Sequence, residues 1–166
     1  MADMQAVSIR AMNRERITAA ILSAAREQIA TSGASSLSVR AIARELGMAS
    51  SAIYRYFPSR DDLLTKLIID SYDSLGAAVE AAEARIPRDD RRGRFRTTCR
   101  AVRRWALEHQ HEYFLIYGTP VPGYRAPEDT IAPATRVATI MITLMVEEAV
   151  AGGRDRESEH DAVSPD

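Results

Sequence analysis

The chain has few of the residues that build reactive, cross-linked or metal-bound sites. Cys99 is its single cysteine, so no internal disulfide can form and no CxxC pair is available for redox or metal chemistry. A lone thiol away from any helix start is expected to be buried and inert. Histidine is scarce too, and His109 and His111, two residues apart, would diverge on a helix and make a poor metal pair. Aromatic residues make up 6% of the chain. No apolar run approaches the length of a membrane span, and Met1–Arg10 lacks the apolar core of a signal segment. A soluble, cytoplasmic protein without a membrane partner is expected. There is no phosphate loop, no zinc-protease helix and no nucleophile elbow. No catalytic residue, metal or cofactor is therefore expected, and the chain does not read as an enzyme. A small helical enzyme using Glu108 and His109 ranks last, because no base–nucleophile constellation supports it.

What is present is concentrated in Leu37–Phe57, LSVRAIARELGMASSAIYRYF. Ser38 is a good N-cap, since its hydroxyl can accept from a free backbone N–H of the first turn. Val39, Ile42, Ala43 and Leu46 recur at helical spacing and form one apolar face. Gly47 follows the last of them, where a left-handed residue ends a helix cheaply. Ser50 or Ser51 starts a second helix over 50–57 whose Ile53 and Phe57 face inward, and Pro58 stops it. Two short helices around a glycine turn form a helix-turn-helix, which offers the start of its second helix to the major groove of DNA. Ser59 and Asp62 then stand at capping-box spacing for a further helix. Arg60 lies in its first turn, where a cation opposes the helix dipole unless an acceptor satisfies it.

The segment Gly47–Leu64, GMASSAIYRYFPSRDDLL, resembles the signature of the TetR/AcrR family of bacterial transcriptional regulators, roughly G-V-S-x-x-x-L-Y-x-H-F-x-x-K-x-x-L. The resemblance implies that Arg40, Ser50, Ser51, Ala52 and Arg55 face operator bases, while Tyr54, Tyr56 and Arg60 hold phosphates. Tyr56 stands where the family usually has His and Arg60 where it usually has Lys, and both keep a donor. It further implies an all-α fold: a three-helix N-terminal helix-turn-helix domain joined by a long helix to a helical ligand-binding and dimerisation domain. Partners would be double-stranded operator DNA, a small apolar effector and a second copy in a homodimer. Charge agrees with this. Residues 1–60 hold eight Arg against four acidic residues, a balance of +4, whereas the remainder carries 14 basic and 19 acidic residues.

Along the chain, residues 1–12 read as a flexible arm, 13–58 as the DNA-binding domain, 59–151 as the effector and dimerisation domain, and 152–166 as a disordered polar tail. Helices are expected from Asn13 or Arg14 to Thr31, Ser59 to about Arg85, Arg94 to Glu108, His111 to Tyr117 and Ile131 to Ala151. Phe95, Cys99, Val102, Trp105 and Ala106 would point inward from the third of these. The stretch Trp105 to Gly118 resembles a TetR C-terminal subclass named for its Trp-His-Gly pattern. Tyr72, Trp105, His109, Tyr113, Phe114 and Tyr117 are candidate effector contacts, because rings with polar tips suit an apolar pocket with a few oriented donors. Relatives usually continue with another dimerising helix where this chain turns polar, so a shortened C-terminal domain is expected. The runner-up reading is a truncated helical binding module with weak or unregulated DNA binding.

Overall fold

The computed structural model describes the backbone of residues 2–163 and the side chains of residues 9–151. Its elements are α1 (Ala2–Ser32), a 3₁₀ turn (Ala34–Ser36), α2 (Val39–Glu45), α3 (Ser50–Ile53), α4 (Arg60–Glu83), α5 (Arg91–Glu108), α6 (Gln110–Tyr117), a second 3₁₀ turn (Glu128–Thr130) and α7 (Ile131–Val163). Among the described residues there is no strand, so the fold is all-α as expected. No helix is long and apolar enough to cross a membrane, among the described residues.

Two compact units share the chain. The first comprises Met1–Ser71 and Gln110–Pro127, the second Tyr72–His109 and Glu128–Asp166. The first therefore holds more than the expected 13–58. Leu63, Leu64 and Leu67 of α4 are at most 1% exposed and belong to its core with Ile21, Ala25, Ile42 and Ile53. Arg26 of α1 ties α4 and α6 into the same unit through Asp70 at 3.2 Å and Glu112 at 3.5 Å. Two end segments also differ from expectation. Helix α1 begins at Ala2, where a flexible arm was expected over 1–12, and α7 continues to Val163 through most of the expected disordered tail 152–166. Both segments are rich in residues compatible with a helix but lack apolar periodicity, so a criterion based on amphipathic faces passes over them. Residues 164–166 lie outside the described ones.

In the second unit the buried face of α5 is Arg94, Thr98, Ala101 and Trp105. Trp105 is buried as expected, whereas the earlier part of the expected face, Phe95 and Cys99, is one residue out of phase. Cys99 is exposed rather than buried, and Phe95 is 40% exposed. Arg94 can lie inside because its guanidinium meets the Glu83 and Glu147 carboxylates. Burial works against its charge, but these two acids keep its pKa above the ordinary arginine value. A second arginine, Arg136 of α7, is bound to Glu80 at 2.7 Å and Asp73 at 2.8 Å, both on α4. Gly76 makes room for it, since a Cβ there would lie 2.7 Å from Arg136 Nε. The Arg136 hydrogen bonds hold Glu80 below its usual 4.5. A carboxylate with a lowered folded pKa contributes its full attraction above 4.5 and loses it as acid protonates the folded form.

Thr98 is fully buried and its hydroxyl has no hydrogen-bond partner among the described residues. An unpaired buried hydroxyl costs on the order of 1–3 kcal/mol. Thr98→Val keeps the shape and removes that cost, so thermal unfolding is expected to show a gain of about 1 kcal/mol. A loss of stability would mean that the hydroxyl is satisfied in solution.

Candidate nucleic-acid interface

The helix-turn-helix is built from local signals that the structure displays atom by atom. Ser38 Oγ accepts from the Ala41 N–H at 3.4 Å, capping α2. At the other end Gly47 takes φ +63°. Its N–H donates to the Arg44 carbonyl at 3.2 Å, and the Met48 N–H reaches back to the Ala43 carbonyl at 2.8 Å. These two bonds form a Schellman ending, which requires the left-handed residue that glycine supplies. Helix α3 is shorter than the expected 50–57. Regular helix ends at Ile53, and the Tyr56 N–H then donates to the Ile53 carbonyl at 2.8 Å in a tighter turn. Pro58 explains this, since it keeps Phe57 from continuing the helix. Of the capping box of α4 the N-cap half forms, with the Asp62 N–H donating to Ser59 Oγ at 3.0 Å; the same hydroxyl donates to the Asp62 carboxylate at 2.7 Å.

This scaffold sorts the side chains. Ile42, Ile53 and Phe57 are buried, while Arg40, Ser51, Tyr54 and Arg55 are exposed and Ser50, Ala52 and Tyr56 are half-buried. The exposed set carries hydroxyl and guanidinium donors suited to phosphate and base edges. The structure also brings in a residue from outside the motif. Arg14 of α1 lies over the Tyr56 ring, 5.2 Å from its centre, a cation–π contact that places one more positive charge beside α3. Its sequence signal was the basic start of the first amphipathic helix, without any hint of its partner. Arg60 behaves differently from the others. Its Nε donates to the Leu37 carbonyl at 3.0 Å, and its Nη2 to the Ala34 and Ser35 carbonyls at 3.1 and 3.3 Å.

The six candidate effector residues are divided. Tyr72, Trp105 and His109 fall in the second unit, and Tyr113, Phe114 and Tyr117 in the first. Trp105 stacks on His109 at 4.9 Å and donates its indole N–H to Ser74 Oγ at 3.0 Å. Burial raises the Tyr72 hydroxyl above its ordinary pKa. On α6, Tyr113 packs against Tyr117 at 5.1 Å and edge-on to Phe114 at 6.5 Å. Phe114 is 67% exposed and lines a cavity of about 330 Å³ in the first unit with Ile29, His111 and Val121. In the second unit a cavity of about 590 Å³ is lined by Arg91, Arg92, Phe95, Leu144, Met145, Glu148 and Ala149, none of the six. Among the described residues no cluster of His, Cys, Asp or Glu could hold a metal ion.

Comparison with known proteins accords with this geometry. The pattern described as bacterial regulatory proteins, tetR family, matches residues 21–67, and that of the tetracyclin repressor-like C-terminal domain matches residues 95–164. The chain belongs to the tetR family of bacterial regulatory proteins. It is 48% identical over 125 residues to the HTH-type transcriptional regulator Rv1816 of Mycobacterium tuberculosis, covering 75% of this chain and 53% of that one. An HTH-type transcriptional regulator of Mycobacterium bovis, Mb1846, matches to the same extent. The chain thus spans about half the length of the curated relatives it matches. Among solved structures, the regulatory protein SCO4313 superposes with a TM-score of 0.73 at 43% identity, over 80% of this chain and 63% of that one. A protein of unknown function from Rhodococcus sp. RHA1 gives 0.69 at 27% identity, over 81% and 69%.

The turn geometry yields a direct test. Gly47→Ala places a side chain at φ +63°, a strain of roughly 1 kcal/mol. The melting temperature should fall accordingly; an unchanged one would show that the turn relaxes in solution.

Proposed function

We propose that this chain is a DNA-binding transcriptional regulator of the ligand-responsive repressor type. The observation that carries the reading is the sorting of side chains on the helix-turn-helix. Val39, Ile42, Ile53 and Phe57 of the motif's inner face are buried and Leu46 is half-buried, while the opposite face offers Arg40, Ser51, Tyr54 and Arg55 to solvent in one short stretch. In this reading Ser50, Ser51 and Ala52 approach base edges, where small side chains let the backbone come close. Arg40 and Arg55 reach bases or flanking phosphate, and the hydroxyls of Tyr54 and Tyr56 donate to phosphate. The basic excess of residues 1–60 steers the encounter.

The effector in this reading is a small apolar molecule met in the second unit by Tyr72, Trp105 and His109. Helix α4 contributes Leu67 to the core of one unit and Leu75 and Val79 to the other. A ligand that shifts α4 would alter operator affinity by about 1–3 kcal/mol, the range of allosteric coupling. The Trp-His-Gly assignment rests on Trp105, His109 and Gly118 alone. A homodimer is supported by α7, where Ile142, Met145, Val146 and Val150 form an apolar stripe at helical spacing, each at least 50% exposed.

Gel shift with duplex DNA from the region upstream of the chain's own gene tests the reading. A shift that weakens steeply as salt rises is expected, because phosphate contacts release counterions. Tyr54→Ala should weaken it roughly fivefold, the worth of one hydrogen bond. Absence of any salt-sensitive shift contradicts the reading.

A further inference from the structure

The first turn of α4 carries a cation, Arg60, at the end of the helix where the dipole disfavours one. The resemblance to the family assigns that position to a DNA phosphate. The structure gives the guanidinium other acceptors. The carbonyls of Ala34, Ser35 and Leu37 close around it at 3.0–3.3 Å, and Nη1 meets the neighbouring Asp61 carboxylate at 3.4 Å. All three carbonyls belong to the segment that joins α1 to α2. The same segment is fastened on its other side, where the Ser38 N–H donates to Gln28 Oε1 of α1 at 2.8 Å and the Ser36 hydroxyl donates to Ser32 O at 2.8 Å. Ser38 is also the residue whose hydroxyl caps α2. The start of α2, with Arg40 on its first turn, is therefore held between α1 and the guanidinium of Arg60.

We propose that Arg60 is a positioning residue for the DNA-reading face, acting through the Ala34–Leu37 carbonyls on the start of α2, and is not a phosphate clamp. This rests on the reading of the motif as a DNA-binding face. The chemistry separates the two roles. A phosphate accepts a lysine ammonium as readily as a guanidinium. Three separate carbonyls on one side of a planar fork do not, because lysine presents its donors from a single atom. Arg60→Lys thus preserves the charge and a phosphate role while breaking the positioning role.

The experiment compares wild type, Arg60→Lys and Arg60→Ala. It measures binding to the upstream duplex and to a random-sequence duplex of equal length over a range of salt, and amide exchange of the DNA-free proteins. Positioning predicts that both variants lose about tenfold in the ratio of upstream to random affinity, the equivalent of one or two hydrogen bonds. Their random-duplex affinity and log–log salt slope should stay unchanged. Exchange should rise across Leu37–Ile42 while residues 72–109 keep their wild-type rates. The proposal is overturned by Arg60→Lys matching wild type in both ratio and exchange, or by Arg60→Ala reducing the salt slope by about 0.9, the signature of one lost phosphate contact. A general loss of stability would raise exchange everywhere and leave the affinity ratio of the folded fraction intact, which also contradicts it. If Arg60→Ala does not fold, Arg60→Lys alone decides. If wild type treats both duplexes alike, the DNA-reading function falls, and the exchange of Leu37–Ile42 still decides whether Arg60 holds that segment.

Discussion

A helix of four residues does not persist on its own hydrogen bonds, so α3 exists because Ile53 is removed from water. Ile53 is fully buried, as are Ile21 of α1, Ile42 of α2 and Leu63 of α4. Each of these four elements gives at least one branched apolar side chain to the core of the first unit. Once Ile53 is fixed there, the helical repeat turns Ser51, Tyr54 and Arg55 outward. The exposed face is a consequence of burial, and its chemistry follows from which residues occupy the outward positions. The Schellman turn at Gly47 serves the same end, because it sets the angle at which α3 leaves α2.

The second unit solves a different problem. Its apolar core is thin, with Leu75, Val79, Ala101, Trp105 and Leu144 buried, and it docks α7 largely through arginine–carboxylate pairs. Exposed pairs of this kind contribute little each. Arg94 is the exception: it is almost fully enclosed, so removing both Glu83 and Glu147 would strand a buried charge. The apolar stripe at Ile142, Met145, Val146 and Val150 remains outside this network.

The features legible in the sequence were those fixed by neighbours in the chain. Ser38 as the cap of α2, Gly47 as a left-handed ending and Ser59 as the cap of α4 depend on residues within five positions, and each forms as its spacing implies; the helix expected to run up to Pro58 ends earlier, at Ile53. Most of the apolar face of α2, Val39, Ile42 and Ala43, was legible for the same reason. What escaped depends on distant partners. The phase of α5 was misjudged because Phe95 and Cys99 look like core residues by type. Arg94 does not, and only the acids at 83 and 147 let it turn inward. The carbonyls that accept from Arg60 lie more than twenty residues earlier and leave no mark in its own neighbourhood of the chain. The pairing of Trp105 with Ser74 has no local signature at all.

In the function proposed above, the outward face of α2 and α3 is the surface that meets DNA. Backbone amide chemical shifts, followed while the upstream duplex is titrated in, address it residue by residue. The largest changes are expected at Arg40 and across Ser50–Tyr56, with residues 91–108 nearly still. Changes centred on α5 or α7, or spread without preference over the chain, would contradict it.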